Sequence, residues 1–228
     1  MAQGTLPQTS LLSRISDIWQ TLHDYLIAGL KRRPEPINDL ESLKYFLQTR
    51  ASYIAQTSLY GYLRTRAGMR YPELFDDDVF VVSINGAKWH MWLACLSDLA
   101  VYCGGMLRAK APGSPADIGR LMQEMVEDIL RETGIPEDAD KEFPEHAERV
   151  RGRLKHVNWN AVTDDEGPFS HSPEALVRYA PVMEELKQLD AEVVKNSVRF
   201  HWQEIRRHVR EHMDADAVLT AARDANLA

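Results

Sequence analysis

The sequence predicts an all-α protein, a helical bundle of about six to eight helices. Apolar residues recur at three- and four-residue steps through most of the 228 residues. Prolines, glycines and helix-capping residues punctuate those runs. No stretch alternates as a β-hairpin or a βαβ unit would.

The first element runs from about Ser10 to Leu30. Leu11, Ile15, Ile18, Leu22, Tyr25, Leu26 and Leu30 line one face with Trp19, and Arg14, Asp17, Gln20, Thr21 and Asp24 line the other. Lys31, Arg32 and Arg33, then Pro34-Glu35-Pro36, close it. Cations suit the negative end of the helix dipole, and the prolines stop the turn from continuing. A wide apolar face with a basic end also suits a membrane interface, so residues 10–33 are a candidate membrane-surface contact. Asp17 and Asp24 on the polar face oppose that reading.

Asn38 or Asp39 caps a second helix that extends to about Arg66, with Leu40, Leu43, Leu47, Ala51 and Ile54 as its stripe. Phe46, Tyr53 and Tyr60 follow at seven-residue steps. Gly61 and Gly68 weaken the helix towards its end, and Tyr71-Pro72 breaks it. One of Asp76, Asp77 and Asp78 then caps a third helix, Val79 to Leu107, the most apolar in the chain. Its opening Val79-Phe80-Val81-Val82 also fits a short strand. Lys88, His90 and Asp98 near the middle of this stretch mark it as a buried core helix, because central charges are costly in a bilayer.

Ala111 to Pro115 is the clearest loop. Beyond it, Pro115 to Thr133 is a helix with Ile118, Leu121, Met122, Met125, Val126 and Ile129 inward, ended by Gly134-Ile135-Pro136. Glu142 to Val157 is a polar helix, and Asn158 to Pro173 a loop. Pro173 to Met213 is a long helical stretch with a potential bend at Pro181, and a short Ala-rich helix closes the chain. Two segments follow from this order: residues 1–110, an N-terminal bundle around the apolar helix, and residues 111–228, a C-terminal helical half, packed with it as one domain or separated from it at the Ala111 to Pro115 loop.

The chain is 44% hydrophobic and 27% charged, an ordinary globular composition. A formal net charge of -7 disfavours bulk phosphate binding, so no nucleic-acid partner is expected. Cys95 and Cys103, eight residues apart on one helix, are too distant for a disulfide. They indicate small buried hydrophobes in a reducing compartment, and no export signal precedes them, so the expected location is the cytoplasm.

Three constellations are candidates for chemistry. Asn85, Lys88, Trp89 and Trp92 share a face of the third helix, where Lys88 would bind an anionic group in a small pocket or join a core polar network. Lys88 over Trp92 would form a cation–π pair. Arg50, Tyr53 and Tyr60 form a stripe on the second helix that suits a carboxylate, a phosphate or a protein interface, or packs in the core with the arginine at its rim. His201, Glu204, His208 and His212 share an arc of the long C-terminal helix. His208 and His212, one turn apart, can converge and are the metal-ligand candidates with Glu204, while a solvated charged face is the plainer reading. No cofactor is implied: P-loop, dinucleotide, HExxH and catalytic-serine signatures are missing.

Three segments, Asp39-Leu40-Glu41-Ser42-Leu43-Lys44-Tyr45-Phe46-Leu47, Tyr60-Gly61-Tyr62-Leu63 and Asp76-Asp77-Asp78-Val79-Phe80, resemble a set of uncharacterised bacterial helical proteins, some of them labelled esterase. The resemblance covers Asp39 to about Leu99 and implies a helical fold and a hydrolase alternative. Its motifs supply no nucleophile, base or oxyanion hole. The leading expectation is a helical protein-protein interaction or assembly protein, with a protein partner or a second copy. An esterase-like or other small-molecule enzyme and a peripheral membrane protein are the alternatives.

Overall fold

In the structure, a computed structural model that describes residues 36–110 and 114–227, every extended element is a helix. The first amphipathic segment, residues 10–33, lies outside the described residues, as does most of the loop after residue 110. Seven α-helices follow in order: α1 (Leu40–Ala67), α2 (Asp78–Lys110), α3 (Pro115–Thr133), α4 (Phe143–His156), α5 (His171–Tyr179), α6 (Glu184–His212) and α7 (Ala215–Asp224). Two short 3-10 helices, Gly68–Arg70 and Pro72–Asp76, join α1 to α2.

Local chemistry explains the boundaries. Asp39 and Ser42 form a reciprocal capping box at the start of α1, the Asp39 carboxylate accepting from the Ser42 N–H at 2.7 Å. These bonds hold the Asp39 carboxyl below the usual carboxylate range. Gly68, at φ 55, ends the helix in a region that L side chains rarely enter. Asp77 is the aspartate that caps α2, accepting from the Val79 N–H at 2.8 Å. Val79 to Val82 are helical, so the strand reading of that stretch is corrected: capped by Asp77, the four apolar residues continue one turn into the next.

The long stretch from Pro173 to Met213 is also corrected. It is two helices, and the first begins at His171, inside the expected loop. Pro181 has no N–H to continue the ladder, and the chain turns through Ala180 to Met183 before α6 starts.

α2 is the axis of the bundle, and α1, α3, α4, α5 and α7 all pack on it. From Ile84 to Leu107 it is buried on nearly every side, Cys95 and Cys103 included, both as free thiols. It is long and apolar enough to cross a membrane by length and composition, and here its neighbours bury it. α6 lies against α1 and α5 through Val194, Val198, Trp202, Ile205 and Val209. A parallel bridge between Ile37 and Met213 ties the start of α1 to the end of α6.

One ionic anchor and close packing on two glycines fix the loop between α4 and α5. The Asp164 carboxylate accepts from the Tyr102 hydroxyl at 2.9 Å and pairs with Arg206 and Arg210 of α6. Burial would raise its pKa, but the bonds from Tyr102 and Arg206 outweigh that and leave it lowered. Gly104 and Gly105 give this loop room, since a Cβ on Gly104 would stand 2.4 Å from the Trp159 ring and one on Gly105 2.1 Å from Val162.

Candidate functional site

A group of ionisable side chains gathers where the connector between α3 and α4 crosses the first half of α2. Lys88, Trp89 and His90 are consecutive on α2, and they meet Asp138 and Asp140 of the connector. The Lys88 ammonium pairs with the Asp138 carboxylate, whose second oxygen accepts from Trp89 Nε1 at 2.7 Å. Burial lowers the Lys88 pKa despite that partner, whereas Asp138, more exposed, is lowered because Lys88 and Trp89 outweigh its own desolvation.

One step further along α2, His90 Nε2 lies 2.7 Å from Asp140 Oδ2. Asp140 is held from the other side too, its Oδ1 accepting from the Glu142 N–H at 2.9 Å. The close approach requires Gly86, because a Cβ there would lie 2.9 Å from Asp140 Oδ2. α4 then contributes His146, whose ring centroid is 3.9 Å from that of His90. Tyr179, from the end of α5, covers both: its ring lies 4.3 Å from His90, and its hydroxyl is 3.2 Å from His146 Nε2. Burial raises the Tyr179 pKa, so it stays a neutral phenol.

His90 is 3% exposed, and its Nδ1 has no hydrogen-bond partner. Leaving such a group unsatisfied in the interior costs about 1–3 kcal/mol. One ligand atom each from His90, Glu142 and His146 lie within 4.8 Å of one another, a spacing that a metal ion would close. Glu142 and His146 are four residues apart across the start of α4, and Glu142 faces solvent.

The sequence-derived candidates fall in different places. Lys88 is a member of this site, as part of a polar network, and its cation–π partner is Trp89 at 4.9 Å. This corrects the expected Lys88–Trp92 pair: Trp92 sits edge-on to Trp89 at 5.7 Å, one turn behind it. Asn85 is half-buried on α2 near the same end. Tyr60 is half-buried on α1, and its phenol is raised by burial first and then by Tyr71 and the Asp138 carboxylate. Arg50 lies over the Phe46 ring at 5.7 Å, and Tyr53 is half-buried on the same helix.

His208 lies tilted against the Phe46 ring at 5.0 Å and meets His212 edge-on at 4.9 Å, while Glu204 is exposed. His201 turns away from that pair to Ser58 of α1, Oγ to Nδ1 3.1 Å. This is a serine–histidine contact, but the Ser58 hydroxyl is buried in the seam between α1 and α6. It ties the two helices.

Asp138, Asp140, Glu142, His146 and Tyr179 were not among the sequence candidates. Glu142 and His146, one turn apart, were the only local signal, and such a pair is common on any polar helix.

Comparison of the chain with protein-family models, with curated proteins and with solved structures returned no match. The fold and the site therefore stand on their own chemistry.

Proposed function

We propose that this is a helical assembly protein that self-associates through the outer face of α6. The observation that carries this reading is a solvent-facing apolar stripe: Leu189 is 79% exposed, Val193 74% and Phe200 68%. At about 100° per residue, Leu189, Val193, Asn196 and Phe200 fall within an arc of roughly 60°. The buried Val194, Val198, Trp202, Ile205 and Val209 lie on the opposite side of the same helix. A 4-3-4 spacing of this kind is the seam of a coiled coil, with Asn196 as its polar member.

Charge favours a second copy as the occupant. Glu185 lies on the stripe before Leu189, and Arg207 lies on it after Phe200. In an antiparallel pair centred near Asn196, Val193 of one copy meets Phe200 of the other. Glu185 of each then comes opposite Arg207 of its partner. A parallel pair would set like charges together.

Sedimentation velocity over a range of protein concentrations tests the reading. A monomer–dimer equilibrium is expected, shifted to monomer by Leu189→Glu or Phe200→Glu with helicity unchanged. A chain that stays monomeric, or a dimer indifferent to Phe200→Glu, refutes it.

A further inference from the structure

The geometry points to a divalent transition-metal site, matched to Zn(II), formed by His90, His146 and Glu142. It is independent of self-association through α6.

The donor set is two imidazoles and a carboxylate, which suits an ion of borderline softness and is poor for the hard ions Mg(II) and Ca(II). The three ligand atoms are already within 4.8 Å of one another. Tetrahedral zinc, with bonds of about 2.0–2.1 Å, needs ligand separations of roughly 3.3 Å. Glu142 is exposed and its carboxylate already lies 3.8 Å from His146 Nε2, so most of that contraction falls on an unburied side chain. The two rings are already held together by α2, α4 and the cover of Tyr179.

The second, separate observation is the state of His90. A purely structural histidine at this depth would use both nitrogens. Here Nε2 is fixed by Asp140 at 2.7 Å, and Nδ1 is buried without a partner. That is the arrangement of a metal-ligating histidine, whose second nitrogen donates to an outer carboxylate that sets the tautomer and the ring angle. Asp140 is itself oriented by the Glu142 N–H, so the outer carboxylate and the ligand carboxylate belong to one turn of chain.

His146 Nε2 is taken by the Tyr179 hydroxyl at 3.2 Å. An ion that claims this nitrogen displaces the hydroxyl, which is then placed to hydrogen-bond a water in the remaining coordination position. Three protein ligands plus water is the open form of a zinc site, the form that polarises a bound water or a substrate carbonyl.

The test is calorimetric titration of chelator-stripped full-length protein with Zn(II), paired with Co(II) as a visible-absorption probe of four-coordinate geometry. One ion per chain is expected, with no binding of Mg(II). Glu142→Gln, at an exposed position, should weaken binding by about tenfold or more, and Asp140→Asn by about 10–100-fold. His146→Ala should abolish it. If His146→Ala misfolds by circular dichroism, Glu142→Gln decides alone. The double variant His208→Ala/His212→Ala removes the other histidine pair and should bind as the natural chain does. The inference is overturned if the natural chain takes up no stoichiometric ion. It is also overturned if Glu142→Gln binds unchanged, or if binding disappears with His208 and His212 instead.

Discussion

The Asp98 carboxylate, wholly buried in the middle of α2, is paired with the Arg153 guanidinium of α4. Its two oxygens also accept from the backbone N–H groups of His171 at 3.1 Å and Ser172 at 2.7 Å, the first residues of α5. Arg153 in turn donates to the Ser97 hydroxyl at 3.1 Å and the Pro168 carbonyl at 2.7 Å. One carboxylate thus anchors three helices and the loop between two of them, and Trp202 of α6 joins through the Ser172 hydroxyl at 2.9 Å.

Removing either partner should be costly, and Asp98 the more so. Asp98→Ala strands a guanidinium and two backbone donors, so a loss of about 3–5 kcal/mol is expected. Arg153→Met leaves the carboxylate its two N–H bonds and should cost less. Urea unfolding of both variants checks the order. Equal losses would mean that the backbone bonds to Asp98 contribute nothing.

Helical glycines should respond in opposite directions to alanine. Gly61, within α1, has nothing within 4 Å of a built Cβ, so Gly61→Ala should stabilise by about 0.5–1 kcal/mol through helix propensity. Gly105→Ala meets Val162 Cβ at 2.7 Å, which a branched side chain cannot relieve by rotation. Overpacking of about 1–3 kcal/mol should outweigh the same propensity gain. Thermal unfolding of the two variants gives the signs, and a stabilised Gly105→Ala would show that the loop carrying Val162 yields.

Mild acid should weaken the fold through His201. Burial against α1 holds its imidazole below the usual histidine range. The unfolded chain therefore binds the proton first, and stability rises with pH between the folded pKa and about 6.5. It is complete above that value and is lost as pH falls below it. His171, lowered by burial and then by Arg153, acts in the same sense. The lowered carboxylates, such as Asp138 and Asp164, lose their partners only in more acidic solution, below their ordinary value of 3.8. The urea midpoint should therefore fall between pH 7.5 and 5.5, and His201→Gln should flatten part of that fall. A midpoint indifferent to pH in both proteins would contradict the assignment.

Much of the bundle was legible because its signals are local. The Asp39 cap, the Gly134 stop, the inward face of α3 and the apolar run of α2 each depend on residues within a turn or two of one another. The break at Pro181 was readable as an interruption but not as a full turn of chain. Whether a proline kinks or ends a helix depends on what the following segment packs against, and α6 packs on α1 as well as α5. The face of Lys88, Trp89 and Trp92 could be drawn from spacing, but the choice between a pocket and a paired lysine required Asp138, fifty residues on.

By itself the sequence determined the helical class, most helix ends and the burial of α2, because periodicity, caps and breakers act along the chain. Only the tertiary structure decided the chemistry. It set His90 beside His146 and Asp140, Asp98 beside Arg153, and Ser58 beside His201, contacts that span 50 to 143 residues. It also left Leu189, Val193 and Phe200 outside while burying Val194 and Val198 next to them. A helix face shows its apolarity in sequence. Which of two apolar faces is covered, and which carboxylate reaches a histidine, depends on partners that only folding brings within a few ångströms.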